Sequence, residues 1–356
     1  MRADGKPRDG SAFGPLTPPA AAHGLQLRRW MILWSLGALV LAATALVVLR
    51  RSDVADFVAL AEQARPAWLV AALLFQAATY ACAAAVWWLV LRRLGHRLSL
   101  PRLIPLGLAK LFADEAMPTA GISGSLLVVA ALGRRGVPGP VALATFFFGV
   151  GSFFLALAIA ALVGLVLVGS ARPVPRALVL AVLGLIAVLA GIAALLPWAL
   201  SHRRDTVAAL FRRWPAVLEL IEAAVRALRG LLAAPGLLAA ATGVQLLLRV
   251  LDGMTLWCCF KALGVPVPYA TAFAGVALGS VAMFVVPLPM GLGVFEVGSV
   301  AALTLLGQPV EAALAATLLF RGFSLWLPLV PGFLISQHEL RAAARSRPEG
   351  SGTDAA

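Results

Sequence analysis

Long apolar runs without a charge constrain this chain more than any other feature. Trp30–Leu49, Trp68–Leu91, Val141–Gly169 and Ala177–Leu200 each contain no Asp, Glu, Lys or Arg. A helix rises about 1.5 Å per residue, so roughly 20 such residues cross a hydrocarbon layer about 30 Å thick. A soluble domain carries about a quarter charged residues; here 13% are charged and 61% hydrophobic. The expected fold class is therefore all-α integral membrane.

The basic balance has to be read on that background. A net charge of +13 would point to nucleic acid in a soluble protein. In this chain the basic residues gather in tails and in loops between apolar runs, where topology signals and anionic-lipid contacts belong. No nucleic-acid partner is expected. Counting Lys and Arg makes both termini cytoplasmic, in a bacterial-type inner membrane. The N-terminal side carries Arg2, Lys6, Arg8, Arg28 and Arg29; loop 92–102 carries Arg92, Arg93, Arg97 and Arg102. Residues 1–29 and 337–356 read as disordered tails. Loop 201–230, with Arg203, Arg204, Arg212, Arg213, Arg226 and Arg229, reads as a cytoplasmic amphipathic helix on the headgroups. Cys82, Cys258 and Cys259 fall inside apolar runs and read as packing residues.

Two stretches are apolar but broken. Residues 103–113 and 122–132 flank Asp114-Glu115-Ala116-Met117-Pro118, with Gly121 and Gly124 beyond. Residues 270–286 and 291–307 flank Pro287-Leu288-Pro289-Met290-Gly291-Leu292-Gly293. Arms this short fit re-entrant hairpins, whose irregular backbone survives at membrane depth only beside protein or a water-filled cavity. The full reading is six spans and two broken hairpins over residues 30–336, in halves of about 30–169 and 177–336 with opposite orientation. A gap-free alignment of 118–151 with 289–322 gives eleven identities, among them Pro118/Pro289, Gly136/Gly307, Pro138/Pro309 and Gly151/Gly322. Inverted repeats with broken helices are a transporter signature.

Ionisable groups inside a membrane cost at least ~2.5–3.5 kcal/mol each, so each needs a partner or a job. The candidates are Lys110, Asp114, Glu115, Arg249, Asp252, Glu296 and Arg321. Arg249 and Asp252 share one helix face at i,i+3 and either neutralise each other or meet a substrate. Glu296 opens a half-helix, where it is a structural cap or part of a site. Arg321 lies too deep to snorkel and must engage an acid or a phosphate, with Glu296 the nearest acid by topology. Asp114 and Glu115 sit at a hairpin tip, at headgroup level or in the pathway. His23, His96, His202 and His338 all fall in tails or loops. No His-Glu-x-x-His, Cys-x-x-Cys, phosphate-loop or dinucleotide pattern occurs. An enzyme is not expected, nor a metal or cofactor.

At the second hairpin the run Pro287-Leu288-Pro289-Met290-Gly291-Leu292-Gly293-Val294-Phe295-Glu296 is followed by Leu319-Phe320-Arg321, Leu327-Pro328 and Gly332. This resembles the flippase-like family that includes the transmembrane region of lysylphosphatidylglycerol synthases. Met117-Pro118 through Gly124 is similar to that family's upstream Pro-x-x-Gly element. The resemblance implies a lipid flippase or transporter, with Glu296, Arg321, Arg249, Asp252, Asp114 and Glu115 near the pathway. Ser123-Gly124-Ser125 stands where many relatives carry a charge, and the sequence shows no aminoacyl-transferase domain, so lysylation is not implied. Two other functions stay open: a non-transporting partner of a membrane enzyme acting on lipids or glycans, and an integral-membrane lipid-modifying enzyme.

Overall fold

A computed structural model describes residues 65–116, 122–202, 215–285 and 293–345. Among them there are helices and turns but no strand. The first expected span, 30–49, lies outside the described residues, as does the tail 1–29.

In chain order the helices are α1 (Pro66–Arg93), α2 (Leu100–Ala116), α3 (Ile122–Arg134), α4 (Gly139–Ala171), α5 (Arg176–His202), α6 (Pro215–Leu232), α7 (Pro235–Ala262), α8 (Tyr269–Val285), α9 (Val294–Leu305), α10 (Val310–Arg321) and α11 (Leu327–Arg345). A π-helical turn, Gly322–Trp326, joins α10 to α11 without a break. Among the described residues α1, α4, α7 and the α10–α11 unit are long and apolar enough to cross a membrane. α4 is apolar nearly all round, as a helix between lipid and protein can be, whereas α7 carries Gln245, Arg249 and Asp252 on its buried side. The helix pairs α2/α3 and α8/α9 sit where the sequence is broken. Their members have 17, 13, 17 and 12 residues, so each is shorter than the ~30 Å hydrocarbon layer requires.

The core of the assembly is α1 packed along α7, and the two run antiparallel. At one end the Arg65 amide donates to the Ala262 carbonyl at 2.9 Å, and Trp68 meets Trp257 edge to face at 5.5 Å. At the other end Val90 and Ala241 share an apolar cluster with Leu94, Leu237 and Leu238. Around this axis α2 packs on α11 while α8 packs on α4, and each broken pair packs on itself.

Backbone details recur in the same arrangement. α1 ends at Leu94-Gly95 and α7 at Leu263-Gly264, with φ +85° and +73° at the glycines. Each turn is closed by an amide reaching back five residues, His96 to Leu91 at 2.8 Å and Val265 to Phe260 at 3.0 Å. Gly136 and Gly307 repeat the device after α3 and α9, with φ +80° and +89°. Pro138 and Pro309 then start α4 and α10 at almost identical backbone angles. A left-handed C-cap and a proline start are local rules; their recurrence at matched places is a property of this chain.

One expectation is overturned and another extended. The C-terminal tail expected from Gln337 is helical through Arg345, because α11 continues past the apolar run. Glu339, itself buried, accepts from Arg134 and from Arg135 Nη2 (2.6 Å for the latter), which ties this extension to the end of α3. The helix expected in 201–230 is present from Pro215, and it also packs on the bundle. Leu231 of α6 is buried with Phe148 of α4, while Arg226 and Arg229 stay exposed.

Close approach between α2 and α11 depends on Gly332. A Cβ there would lie 2.6 Å from the Leu108 carbonyl oxygen and 2.9 Å from Phe112 Cβ, and backbone cannot move aside cheaply. Gly332→Ala is expected to cost about 1–3 kcal/mol through forced separation of the helices. Thermal melting in detergent measures it, with Gly107→Ala, whose Cβ meets nothing within 4 Å, as the control.

Candidate functional site

The broken helix pairs and the α1/α7 axis enclose one large cavity of about 920 Å³. Its walls differ in chemistry. One wall, from α1, α7 and α10, presents Gln76, Tyr80, Gln245, Arg249, Asp252 and Arg321. A second, aromatic wall, from α4 and α8, presents Phe146, Phe147, Phe153, Phe154 and Phe284, and meets the first where Phe153 lies under the Arg249 guanidinium. Phe147 and Phe284 are 49% and 44% exposed, so this aromatic wall continues from the cavity to the outer surface of the bundle.

Glu296 and Arg321 come together as expected from topology. Arg321 Nε donates to Glu296 Oε1 at 2.9 Å, and the guanidinium lies over the Phe295 ring at 5.2 Å. Glu296 is in the first turn of α9, after Gly293 enters the helix with φ +79°. No side chain caps that helix start. The carboxylate is directed at α10 instead, where it gains from the helix dipole and from the arginine together. It is 2% exposed, and its Oε2 has no hydrogen-bond partner. Ser299 and Thr317, with their hydroxyls 3.3 Å apart, and the stacked rings of Phe295 and Phe320 complete this contact between α9 and α10.

Arg249 and Asp252 form a looser pair, Nη1 to Oδ2 at 3.5 Å, with the Arg249 guanidinium 4.7 Å over the Phe153 ring. Both are buried and both line the cavity. The pair is thus at once within ion-pair distance and open to the cavity. Lys110 also lines the cavity, with its ammonium 5.9 Å from the Phe146 ring centre. Asp114 and Glu115 lie in the last turn of α2, but their side chains are outside what the structure describes. Pro118, Gly121, Pro287, Pro289 and Gly291 are also outside the described residues. Gly124 is not part of the break: it is buried inside α3.

The gap-free alignment pairs unlike side chains around the cavity. It pairs Phe295 with Gly124 and Phe320 with Gly149, and it pairs Glu296 with Ser125 and Arg321 with Val150. In the second half two stacked rings and an ion pair fill the contact between the broken helix and the next span. The first half has two glycines, a serine and a valine there, and Ser125, Gly149 and Val150 line the cavity.

Sequence reasoning missed Gln76, Gln245, Tyr80 and the phenylalanine wall. The two glutamines carry a usable signal. Each stands at the same distance before its left-handed glycine, Gly95 or Gly264, and both are buried at the cavity.

Among the described residues no group of His, Cys, Asp and Glu could hold a metal ion. No curated protein matches the chain. A family model for the lysylphosphatidylglycerol synthase TM region matches residues 34–332. That span takes in both broken pairs, the α1/α7 axis and every cavity residue named above. The chain belongs to the family of lysylphosphatidylglycerol synthase transmembrane regions, membrane proteins involved in lipid handling.

Proposed function

We propose that this protein moves a lipid across the inner membrane, taking the headgroup into the cavity while the acyl chains stay in the bilayer. The observation that carries this reading is the pairing of a charged, amide-bearing wall with an aromatic wall that reaches the bundle surface. Such a site suits an amphiphile: the polar wall replaces water around the headgroup, and half-exposed rings accept hydrocarbon. A cavity of about 920 Å³ is at the upper end of ligand-site sizes, roughly 300–1,000 Å³.

On this reading α2/α3 and α8/α9 are re-entrant hairpins in an inverted-topology repeat. Support comes from the antiparallel α1/α7 pair, from the reciprocal packing of α2 on α11 and α8 on α4, and from the matched glycine caps. The two ends of the repeat differ in chemistry. Arg134 and Arg135 hold Glu339; their aligned positions Leu305 and Leu306 pack in an apolar cluster with Val168. One end thus closes with ions and the other with hydrocarbon, a difference that lets the two open independently. A partner role for a membrane enzyme would leave the charged cavity without a use.

The test is reconstitution into liposomes with fluorescent lipids and a membrane-impermeant reductant. Lipid movement is expected to make probe in both leaflets reducible, whereas protein-free vesicles keep the inner leaflet protected. Protection unchanged by a folded, inserted protein would refute transport. Labelling of cysteines placed at Gly133–Pro140 is expected from the cytoplasmic side only; labelling from outside would make the first hairpin a crossing and remove the repeat.

A further inference from the structure

We infer that the α10–α11 span is hinged at its π-helical turn, and that the cluster of Arg134, Arg135 and Glu339 is the latch that holds the hinge closed. The motion does not depend on what the cavity takes, so it goes beyond the transport reading.

A helical span bends where its hydrogen-bond ladder is interrupted. At Gly322–Trp326 the Leu327 amide donates to the Gly322 carbonyl, five residues back instead of four. Pro328 and Pro331 follow within α11 and bring no amide hydrogen to the ladder. Prolines and π-turns are the usual sites of sharp helix kinks, of about 20° or more. The paired span has neither. Continued at the same offset, the repeat sets Gly151–Leu155 against the π turn, and Leu157 and Ala160 against the two prolines. There α4 runs as an unbroken helix.

The two sides of the turn are held differently. Before it, α10 is fixed to α9 by Arg321 with Glu296, by the stacked rings of Phe320 and Phe295, and by the Ser299 and Thr317 hydroxyls. Beyond it, α11 packs on α2 and leaves Val330 and Leu334 exposed on its other side. At 1.5 Å per residue Gly332 lies about 9 Å past the turn, and a bend of about 20° moves it by about 3 Å. Its contact with α2 can therefore persist as a pivot. Glu339 lies about 20 Å past the turn, and the same bend carries it about 7 Å. That parts its carboxylate from both guanidiniums of α3.

These ions can separate where an apolar contact would resist. The Arg134 and Arg135 side chains are already 24% and 27% exposed, so water is at hand to receive them. At the aligned positions Leu305, Leu306 and Val168 are all apolar and packed together. Hinge and latch thus occur together in one half of the repeat, and neither has a counterpart in the other.

The test places spin labels on the full chain in lipid nanodiscs and measures distances by pulsed electron resonance. One pair is Arg93→Cys with His338→Cys, both exposed, from the end of α1 to α11. The second is Arg93→Cys with Gln308→Cys, from the same place to the start of α10. Protein without introduced cysteines sets the background, since Cys82, Cys258 and Cys259 are buried. Glu339→Gln is expected to raise the ratio of displaced to closed α11 at least about tenfold, the scale of one charge-assisted hydrogen bond. The displacement should be about 5–7 Å in the first pair, with the second pair unchanged. Pro328→Leu with Pro331→Leu, added to Glu339→Gln, should remove it. A wild-type distribution in Glu339→Gln would overturn the latch. Displacement in both pairs would overturn the hinge, because the span would then move as one rod. Should Glu339→Gln not fold, Arg134→Lys with Arg135→Lys weakens the latch without stranding the carboxylate, and is read the same way. The label pairs decide the hinge even where the proline variant does not fold. No lipid has to move for this measurement, so a working hinge in a protein that moves no lipid would defeat the transport reading alone.

Discussion

Arg321→Lys is expected to yield a protein that inserts and melts near the wild type but moves lipid at less than about a tenth of its rate. Lysine keeps a positive charge within reach of Glu296, so the buried carboxylate retains a counter-ion. It cannot copy the planar fork that donates sideways to Glu296 from Nε, lies over Phe295 and lines the cavity. Arg321→Gln differs in kind. It removes the charge opposite a carboxylate that is 2% exposed, and an uncompensated buried charge costs about 3–5 kcal/mol. That variant should fail at the level of detergent stability, before transport is measured. Expression, melting temperature and lipid movement read in parallel separate the two effects. A well-folded Arg321→Lys protein with full transport would leave Arg321 as structural glue between α9 and α10.

The sequence makes these residues visible for an energetic reason. A charge in an apolar run costs enough to demand an explanation, so Arg249, Asp252, Glu296 and Arg321 stand out, and helix periodicity joins the first two. Joining Glu296 to Arg321 needed the hairpin topology, which the Pro and Gly clusters supplied. Gln76 and Gln245 stayed hidden because a lone amide among apolar residues costs less than a charge and follows no pattern within one helix. They become conspicuous only when α1 and α7 are compared, where each stands at the same distance before its turn glycine. The phenylalanines of α4 read as ordinary span residues, since lipid-facing and cavity-facing rings look alike in one dimension. In the sequence Arg134 and Arg135 are two more basic residues between apolar runs, and Glu339 falls in 337–356, which reads as a tail. Their pairing is a contact between chain segments some two hundred residues apart, which no local rule reports.

The Arg249–Asp252 pair separates glue from pathway most cleanly. Asp252→Asn alone leaves a guanidinium buried with the Phe153 ring but no carboxylate on its own helix, and should cost about 3–5 kcal/mol. Adding Arg249→Gln removes the orphaned charge. Replacing both members of a buried pair is often close to neutral, so the double variant should recover most of the lost stability. A pair that only neutralised itself would recover function too. These side chains also line the cavity, and at 3.5 Å they are held more loosely than Arg321 and Glu296. A loose pair can exchange its partner for a phosphate at smaller cost than a tight one. The double variant is therefore expected to fold, insert and melt near the wild type while moving lipid at least tenfold more slowly. Wild-type transport by that variant would assign the pair to assembly alone, and the headgroup would then depend on Arg321 for its guanidinium contact.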